Sequence, residues 1–249
     1  MARRLAKAIA DAGVCSRREA ERRIEAGRVT LNGQAQTSPA INVEATDKVT
    51  IDGRPVKWKD KPLRVFAFHK PTGLVCSNTD PEGRPTVFDK LPKNAPRLVL
   101  VGRLDLNSEG LLLLTTSGEF AGELMHPKNQ MARVYKVRFR GDLTPEVTAT
   151  MAAGHEIDGV NYRPVEVKLT NTASTADRQQ RANQWAEVRL HEGKNREIRK
   201  VFKHFGLQVN RLIRLAYGGV SLGDLPPGKL MELPAETVKA LQIQLGEGK

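Results

Sequence analysis

Between Arg97 and Thr115, two apolar runs, Leu98-Val99-Leu100-Val101 and Leu111-Leu112-Leu113-Leu114, enclose a short polar connection bounded by Gly102 and Gly110. Short apolar runs closed by turn residues read as buried strands. The segment between them, which contains Arg103, Asp105 and Glu109, is therefore expected to be a loop held by a rigid scaffold. Catalytic side chains concentrate on such loops. Asp105 stands out because the chain around it is basic, with 40 Lys and Arg against 28 Asp and Glu and a formal net charge of +12. Arg103, two residues earlier, is a candidate for keeping the carboxylate ionised. If the chain binds a polyanion, an acid in the contact surface calls for a reason, and chemistry supplies one.

The charge excess favours nucleic acid or another polyanion through counterion release and steering. At 249 residues the chain has room for one or two domains. Cys15 and Cys76 are the only cysteines, with no CxxC or Cys/His grouping, which argues against a disulfide framework and a zinc site. Lys7 and Asp11 break the apolar stretch after Arg3 and Arg4, so no signal segment is expected. No run has the length of a membrane span. The expectation is a soluble cytoplasmic protein, with no membrane partner and a monomeric state.

The first part of the chain reads as a separate module. Leu5, Ala8, Ile9 and Ala12 recur at helical spacing, and Gly13 is a stop. Ser16 with Glu19 three residues on has the form of a capping box that opens a second helix carrying Ala20 and Ile24. Arg28 to Gly33 reads as a strand entering an Asn-Gly turn, and Lys48 to Arg54 as a strand with an Asp-Gly turn. Residues 1–28 hold eight basic and four acidic side chains. This order of helix, Ser-Arg-Arg-Glu-Ala helix and Gly-Arg-Val-Thr-Leu-Asn-Gly strand resembles the S4 RNA-binding domain over residues 3 to 50. Arg3, Arg4, Arg17, Arg18, Arg22 and Arg28 are its candidate RNA contacts; a solvated helix face is the alternative.

The domains are expected at 1–58, with a charged linker at 59–63, and 64–249. Strands are expected at 65–69, 98–101, 111–115, 133–140, 163–169 and 184–190, and helices at 117–125 and 195–205. Mixed strands with scattered helices suggest an α+β class. The Thr/Ala/Gln-rich stretch 170–183 has the composition of a surface loop.

Residues 189–214 form a second basic cluster, with eight Lys or Arg against Glu192 and Glu197. If 195–205 is a helix, Ile198, Val201, Phe202 and Phe205 make its buried stripe. Lys194, Arg196 and Lys200 are then candidate phosphate contacts, with a solvated face as the alternative. The five histidines lack ligand spacing, and neither a P-loop nor a GxGxxG is present. Asp105 and Glu109 have the form of a glycosidase carboxylate pair, but the basic charge suits RNA better than neutral sugar. Aromatics are only 5% of the chain, which argues against a platform of stacking rings on a sheet.

The order Lys70-Pro71-Thr72-Gly73-Leu74, Gly102-Arg103-Leu104-Asp105 with Ser108-Glu109-Gly110-Leu111, Val134-Tyr135-Lys136-Val137 and Asn195-Arg196-Glu197-Ile198-Arg199-Lys200 resembles the RsuA/RluB family of ribosomal RNA pseudouridine synthases. With the S4-like start, the resemblance spans residues 3 to 245. It implies a catalytic domain with a mostly antiparallel mixed sheet and flanking helices. It also implies Asp105 as the catalytic aspartate, Tyr135 packing on the target base and Arg199 pairing with the aspartate. Leu212 would line the uracil pocket, and Arg103 would help to hold the flipped nucleotide. No metal and no cofactor are implied. Ser108, Thr116-Ser117 and Glu197 depart from the usual residues, and a charge at Glu197 could alter the RNA contact.

The expected activity is isomerisation of one uridine in ribosomal RNA. Residues 133–168 resemble the RluB branch, so 23S RNA, free or in a large-subunit assembly intermediate, is the expected partner. Asp105 would add to the ring, attack the sugar carbon or assist elimination to a glycal. A synthase acting on 16S RNA and a non-catalytic S4-type assembly factor are the alternatives. Each site residue also has a plain structural role open to it: a turn for Asp105, core for Tyr135 and Leu212, and surface for Arg199.

Overall fold

The computed structural model describes residues 3–58, 62–170 and 183–247. The chain divides into two compact units, Met1–Leu63 and Arg64–Lys249.

In the first unit the elements run β1 (Arg3–Arg4), α1 (Leu5–Asp11), α2 (Arg17–Glu25), β2 (Val29–Leu31), β3 (Gln34–Gln36), β4 (Asn42–Val43), β5 (Val49–Ile51) and β6 (Arg54–Pro55). The Ser16 side chain accepts the Glu19 backbone N–H at 3.1 Å, closing the N-terminus of α2. Asn32-Gly33 and Asp52-Gly53 all have positive φ and join strands in two-residue hairpins, which the right-handed strand twist favours. The antiparallel order is β3-β2-β5-β6, with β1 paired to β4. Leu5, Ala8, Ile9, Ala20, Ile24, Val29 and Ile51 close one core.

The second unit contains β7 (Val65–Lys70), β8 (Val99–Val101), β9 (Glu109–Thr115), α3 (Gly118–Met125), β10 (Arg133–Arg140), α4 (Pro145–Ala153), β11 (His155–Ile157), β12 (Val160–Tyr162) and β13 (Glu166–Leu169). They are followed by β14 (Gln184–Leu190), α5 (Glu197–His204), β15 (Gln208–Tyr217), β16 (Val220–Ser221), β17 (Leu230–Glu232) and α6 (Ala235–Glu247). The sheet order is β13-β14-β10-β15-β9-β7-β17, with β8 on β9 and β16 on β15. Every pairing is antiparallel except β15 with β9. The α+β class with a mostly antiparallel sheet is therefore present.

Leu111 to Leu114 are all fully buried. Successive strand residues point to opposite faces, so β9 is covered on both sides. Leu112 and Leu114 join a core with Val137, Phe139, Ile198, Val201 and Phe202, where the rings of Phe139 and Phe202 meet edge to face at 5.4 Å. α5 packs on this face.

Three expectations need correction. The strand expected at 163–169 begins only at Glu166, because Pro164 cannot donate to a ladder. The helix expected at 195–205 starts at Glu197, because Arg196 adopts a left-handed conformation with φ 53°. Helices α4 and α6 and the strand β15 are absent from the elements expected from sequence. Residues 59–61 of the expected linker and 171–182 of the expected loop lie outside the described residues.

Candidate active site

Asp105 lies on the loop 102–108 that joins β8 to β9. The loop's backbone is pinned from several directions. Lys70, at the end of β7, is fully buried, and its Nζ donates to the carbonyls of Asp105 at 3.1 Å, Ser108 at 2.8 Å and Pro71 at 3.0 Å. Burial pushes the Lys70 ammonium down from its usual range, while the charges of Asp105 and Glu109 oppose that shift. The carbonyls replace the water such a charge would otherwise keep. Gly73 N–H donates to Leu106 O at 2.8 Å, and Ser108 N–H to Asp105 O at 3.0 Å.

At the end of the loop, Gly110 has φ +105°, and a Cβ there would fall 2.3 Å from the Arg214 carbonyl oxygen. Only glycine lets β9 approach β15 this closely. Glu109 Oε1 accepts from Arg211 Nε at 2.5 Å. Glu109 is thus committed to an ion pair rather than to a carboxylate pair with Asp105.

The Asp105 side chain is one-third exposed and faces the start of α5. Arg196 Nη1 is 3.6 Å and Arg199 Nε 4.0 Å from its Oδ2. Both distances are too long for hydrogen bonds. Arg199 is held in place, donating from Nη1 to Val209 O and from Nη2 to Asn107 O, each at 3.2 Å. Its Nε is buried without a hydrogen-bond partner among the described residues. Burial and the charge of Arg196 move the Arg199 guanidinium down from its usual range, against the pull of Asp105.

The left-handed turn at Arg196 sits beside a buried acid. Glu197 is 4% exposed, and its Oε2 accepts the Lys194 backbone N–H at 2.9 Å. Burial, reinforced by Glu192, raises its carboxyl to about 7, although the hydrogen bond from Lys194 opposes the shift.

Arg103, expected beside the carboxylate, is exposed and makes no ion pair with Asp105 among the described residues. The intervening Leu104 is buried in the core, and the loop turns Asp105 toward α5 instead. Arg196, read from sequence as a phosphate contact, takes the place expected of Arg103. Tyr135 and Leu212 are 9% and 7% exposed and share the core that α5 covers, with Tyr135 opposite Val188 and Arg214. No hydrogen bond or ion pair joins either of them to Asp105. Lys200 is exposed, whereas Lys194 Nζ is engaged by Glu192 and by Asn161 O.

In the first unit Arg4 and Arg18 are exposed, while Arg17 pairs with Glu21, Arg22 with Glu19, Arg28 with Asp52 and Arg3 with Asp11. Lys70 carried no expected role of its own; its signal was the Lys-Pro-Thr-Gly sequence at the end of an apolar strand. Among the described residues no group of three or more His, Cys, Asp or Glu side chains could hold a metal ion.

The profile of RNA pseudouridylate synthases matches residues 64–204, and that of the S4 domain residues 3–49. An uncharacterized RNA pseudouridine synthase of Rickettsia prowazekii is 46% identical over 97% of both chains. Ribosomal large subunit pseudouridine synthase B of Haemophilus influenzae is 41% identical, over 98% of this chain and 68% of its own. The Escherichia coli O157:H7 protein of that name is 39% identical over 98% and 89%. A crystal structure of a pseudouridylate synthase aligns with a TM-score of 0.67 at 25% identity, over 96% of this chain and 99% of that one.

Proposed function

We propose that this chain, which belongs to the RNA pseudouridylate synthase family, isomerises a specific uridine of 23S ribosomal RNA with Asp105 as its catalytic residue. The relatives named for the large ribosomal subunit support that choice of RNA. The observation that carries the catalytic assignment is the loop 102–108. Its backbone is clamped by Lys70, while among the described residues the Asp105 carboxylate keeps only long contacts to Arg196 and Arg199. A rigid mount with an uncommitted functional group suits a reacting residue.

The reaction breaks the N1–C1′ bond, turns the uracil and joins C5 to C1′. The C5 proton leaves to solvent and N1 gains a proton, with no net oxidation. The base must leave its stack, at a cost of a few kcal/mol. Asp105 meets the reacting nucleoside, and Arg196 and Arg199 draw its phosphate toward the carboxylate. Tyr135 and Leu212 offer an aromatic face and an apolar wall, and Arg103 reaches the flipped nucleotide from the exposed side of the loop. The S4 unit adds a second, sequence-independent grip on phosphates through Arg4 and Arg18. The enzyme works in the cytoplasm as a monomer.

Release of tritium from C5-labelled uridine in protein-free ribosomal RNA tests the assignment. Wild type releases label and Asp105→Ala does not, with RNA affinity retained. Tight RNA binding by a wild type that releases nothing would instead favour an assembly factor.

A further inference from the structure

The large sheet is covered unequally. β7 and β9 are buried almost throughout, whereas β10 and β14 alternate. On β10, Tyr135, Val137 and Phe139 face the core, and Lys136, Arg138 and Arg140 face the other way. On β14, Ala186, Val188 and Leu190 are buried, and Trp185, Glu187 and Arg189 alternate with them. The strand register sets Arg138 opposite Trp185, and Lys136 and Lys168 on either side of Glu187. None of these outward side chains is buried.

This face has the chemistry of a nucleic-acid contact. Lys136 Nζ lies 4.9 Å and Arg138 Cζ 5.8 Å from the centre of a Trp185 ring, so an aromatic surface and two cations share one spot. Two of the acids on the face are already matched, Glu109 by Arg211 and Glu166 by Arg189. Glu187 then stands against Lys136, Arg138, Arg140 and Lys168, four cations that form no ion pair among the described residues. Successive bases stack on such rings while neighbouring cations hold the backbone, a mode that tolerates any sequence. Low aromatic content argues against a platform of several rings, but not against one ring set between cations.

The patch lies on the opposite face of the sheet from Tyr135 and Leu212, in register with residues that hold the loop 102–108. Arg138 pairs in register with Arg211 on β15 as well as with Trp185 on β14. Arg211 grips Glu109 where the loop 102–108 enters β9, and Arg199 bridges Val209 on β15 to Asn107 in that loop. Neighbouring strands are about 4.8 Å apart, so Trp185 is roughly 10 Å from Arg211 along this row.

We infer that the open face of β10 and β14 binds a single-stranded stretch of the substrate RNA, with one base stacked on Trp185 and phosphates on Lys136 and Arg138. This rests on RNA being the substrate and extends the contact beyond the residues around Asp105.

The test uses the full chain in single-turnover tritium release on protein-free ribosomal RNA, together with direct titration of a short oligouridine. Trp185→Ala should weaken oligouridine binding roughly 5- to 100-fold, and Trp185→Phe should restore most of it. Lys136→Gln with Arg138→Gln should lower the slope of log affinity against log salt by about 1.4, two phosphate contacts on a single strand. Urea unfolding midpoints close to that of the wild type would show that each variant folds. Unchanged affinity and salt slope in both the Trp185→Ala and the double glutamine variants would overturn the inference, as they would for a face that docks a protein instead. Absence of tritium release from wild type would count against the synthase assignment alone, since oligouridine titration reads the face independently.

Discussion

The buried ammonium of Lys70 donates to the backbone carbonyl of Asp105 at 3.1 Å, so the side chain proposed to react is carried by a peptide tied to the adjoining strand. The same nitrogen reaches Ser108 O and Pro71 O, closing the loop around one cation.

Replacing Lys70 with Met keeps the length of the side chain and removes the donor. Three carbonyls then lose a charged partner in the interior, which should cost about 2–4 kcal/mol of stability. The loop should loosen, and turnover should fall by at least about 10-fold, the scale expected when a reacting group is misplaced. Urea unfolding and single-turnover tritium release measure the two effects. A variant of wild-type stability and rate would remove Lys70 from the account of the site.

Arg196 and Arg199 both approach Asp105, but they are mounted differently. Arg196 is half exposed, whereas Arg199 is mostly buried and bridges Val209 O and Asn107 O. Arg196→Gln should therefore change stability by less than about 0.5 kcal/mol, as surface substitutions do. Its effect should appear in turnover, about 10-fold or more at the 1.4 kcal/mol per decade of rate. Arg199→Gln should lose both, with about 2 kcal/mol of stability gone because two carbonyls lose a charged donor. Equal loss of stability in the two variants would contradict this division.

The loop bearing Asp105 is legible in sequence because the two apolar runs bracketing it can only be buried strands, and Gly102 and Gly110 mark where the chain must turn. Tyr135 is legible as a strand residue, and the alternation of β10 assigns it to the core face. The partner of Asp105 is not legible, because Arg103 is near in sequence while Arg196 and Arg199 arrive only when α5 packs beside the loop. The left-handed backbone at Arg196 leaves no mark in composition, since Arg is not a usual residue there. Helix α4 buries only Met151 and offers no apolar stripe to read. Helix α6 buries Val238, Leu241 and Leu245 at helical spacing, a stripe that the sequence does carry.

Gly110 is where the parallel pairing of β9 and β15 meets the loop 102–108. Gly110→Ala would place a methyl group 2.3 Å from the Arg214 carbonyl oxygen on a backbone of φ +105°. Neither strand can yield without losing its ladder, so the cost should be about 3 kcal/mol or more, among the larger single-substitution effects. A denaturant midpoint within error of wild type would show that the two strands separate without penalty.

Glu197 makes the start of α5 sensitive to pH. Its carboxyl is raised to about 7 in the folded protein, mainly by burial, from an ordinary value of 4.5. Between those values the folded state holds the extra proton, so stability is greatest at the acid end and falls as pH rises through the window. Glu192 moves the other way: its carboxyl is lowered by Lys194 and the Arg163 backbone N–H, and its contribution is lost toward acid pH. The Glu197 component should amount to about 1–3 kcal/mol between pH 5 and pH 8. Glu197→Gln keeps an oxygen for the Lys194 N–H but cannot ionise. It should flatten the profile and make the protein about 1–3 kcal/mol more stable than wild type at pH 8, with little difference at pH 5. Urea unfolding at both pH values decides the matter. If wild type and Glu197→Gln show the same change between pH 5 and pH 8, the buried carboxyl is not the group that titrates.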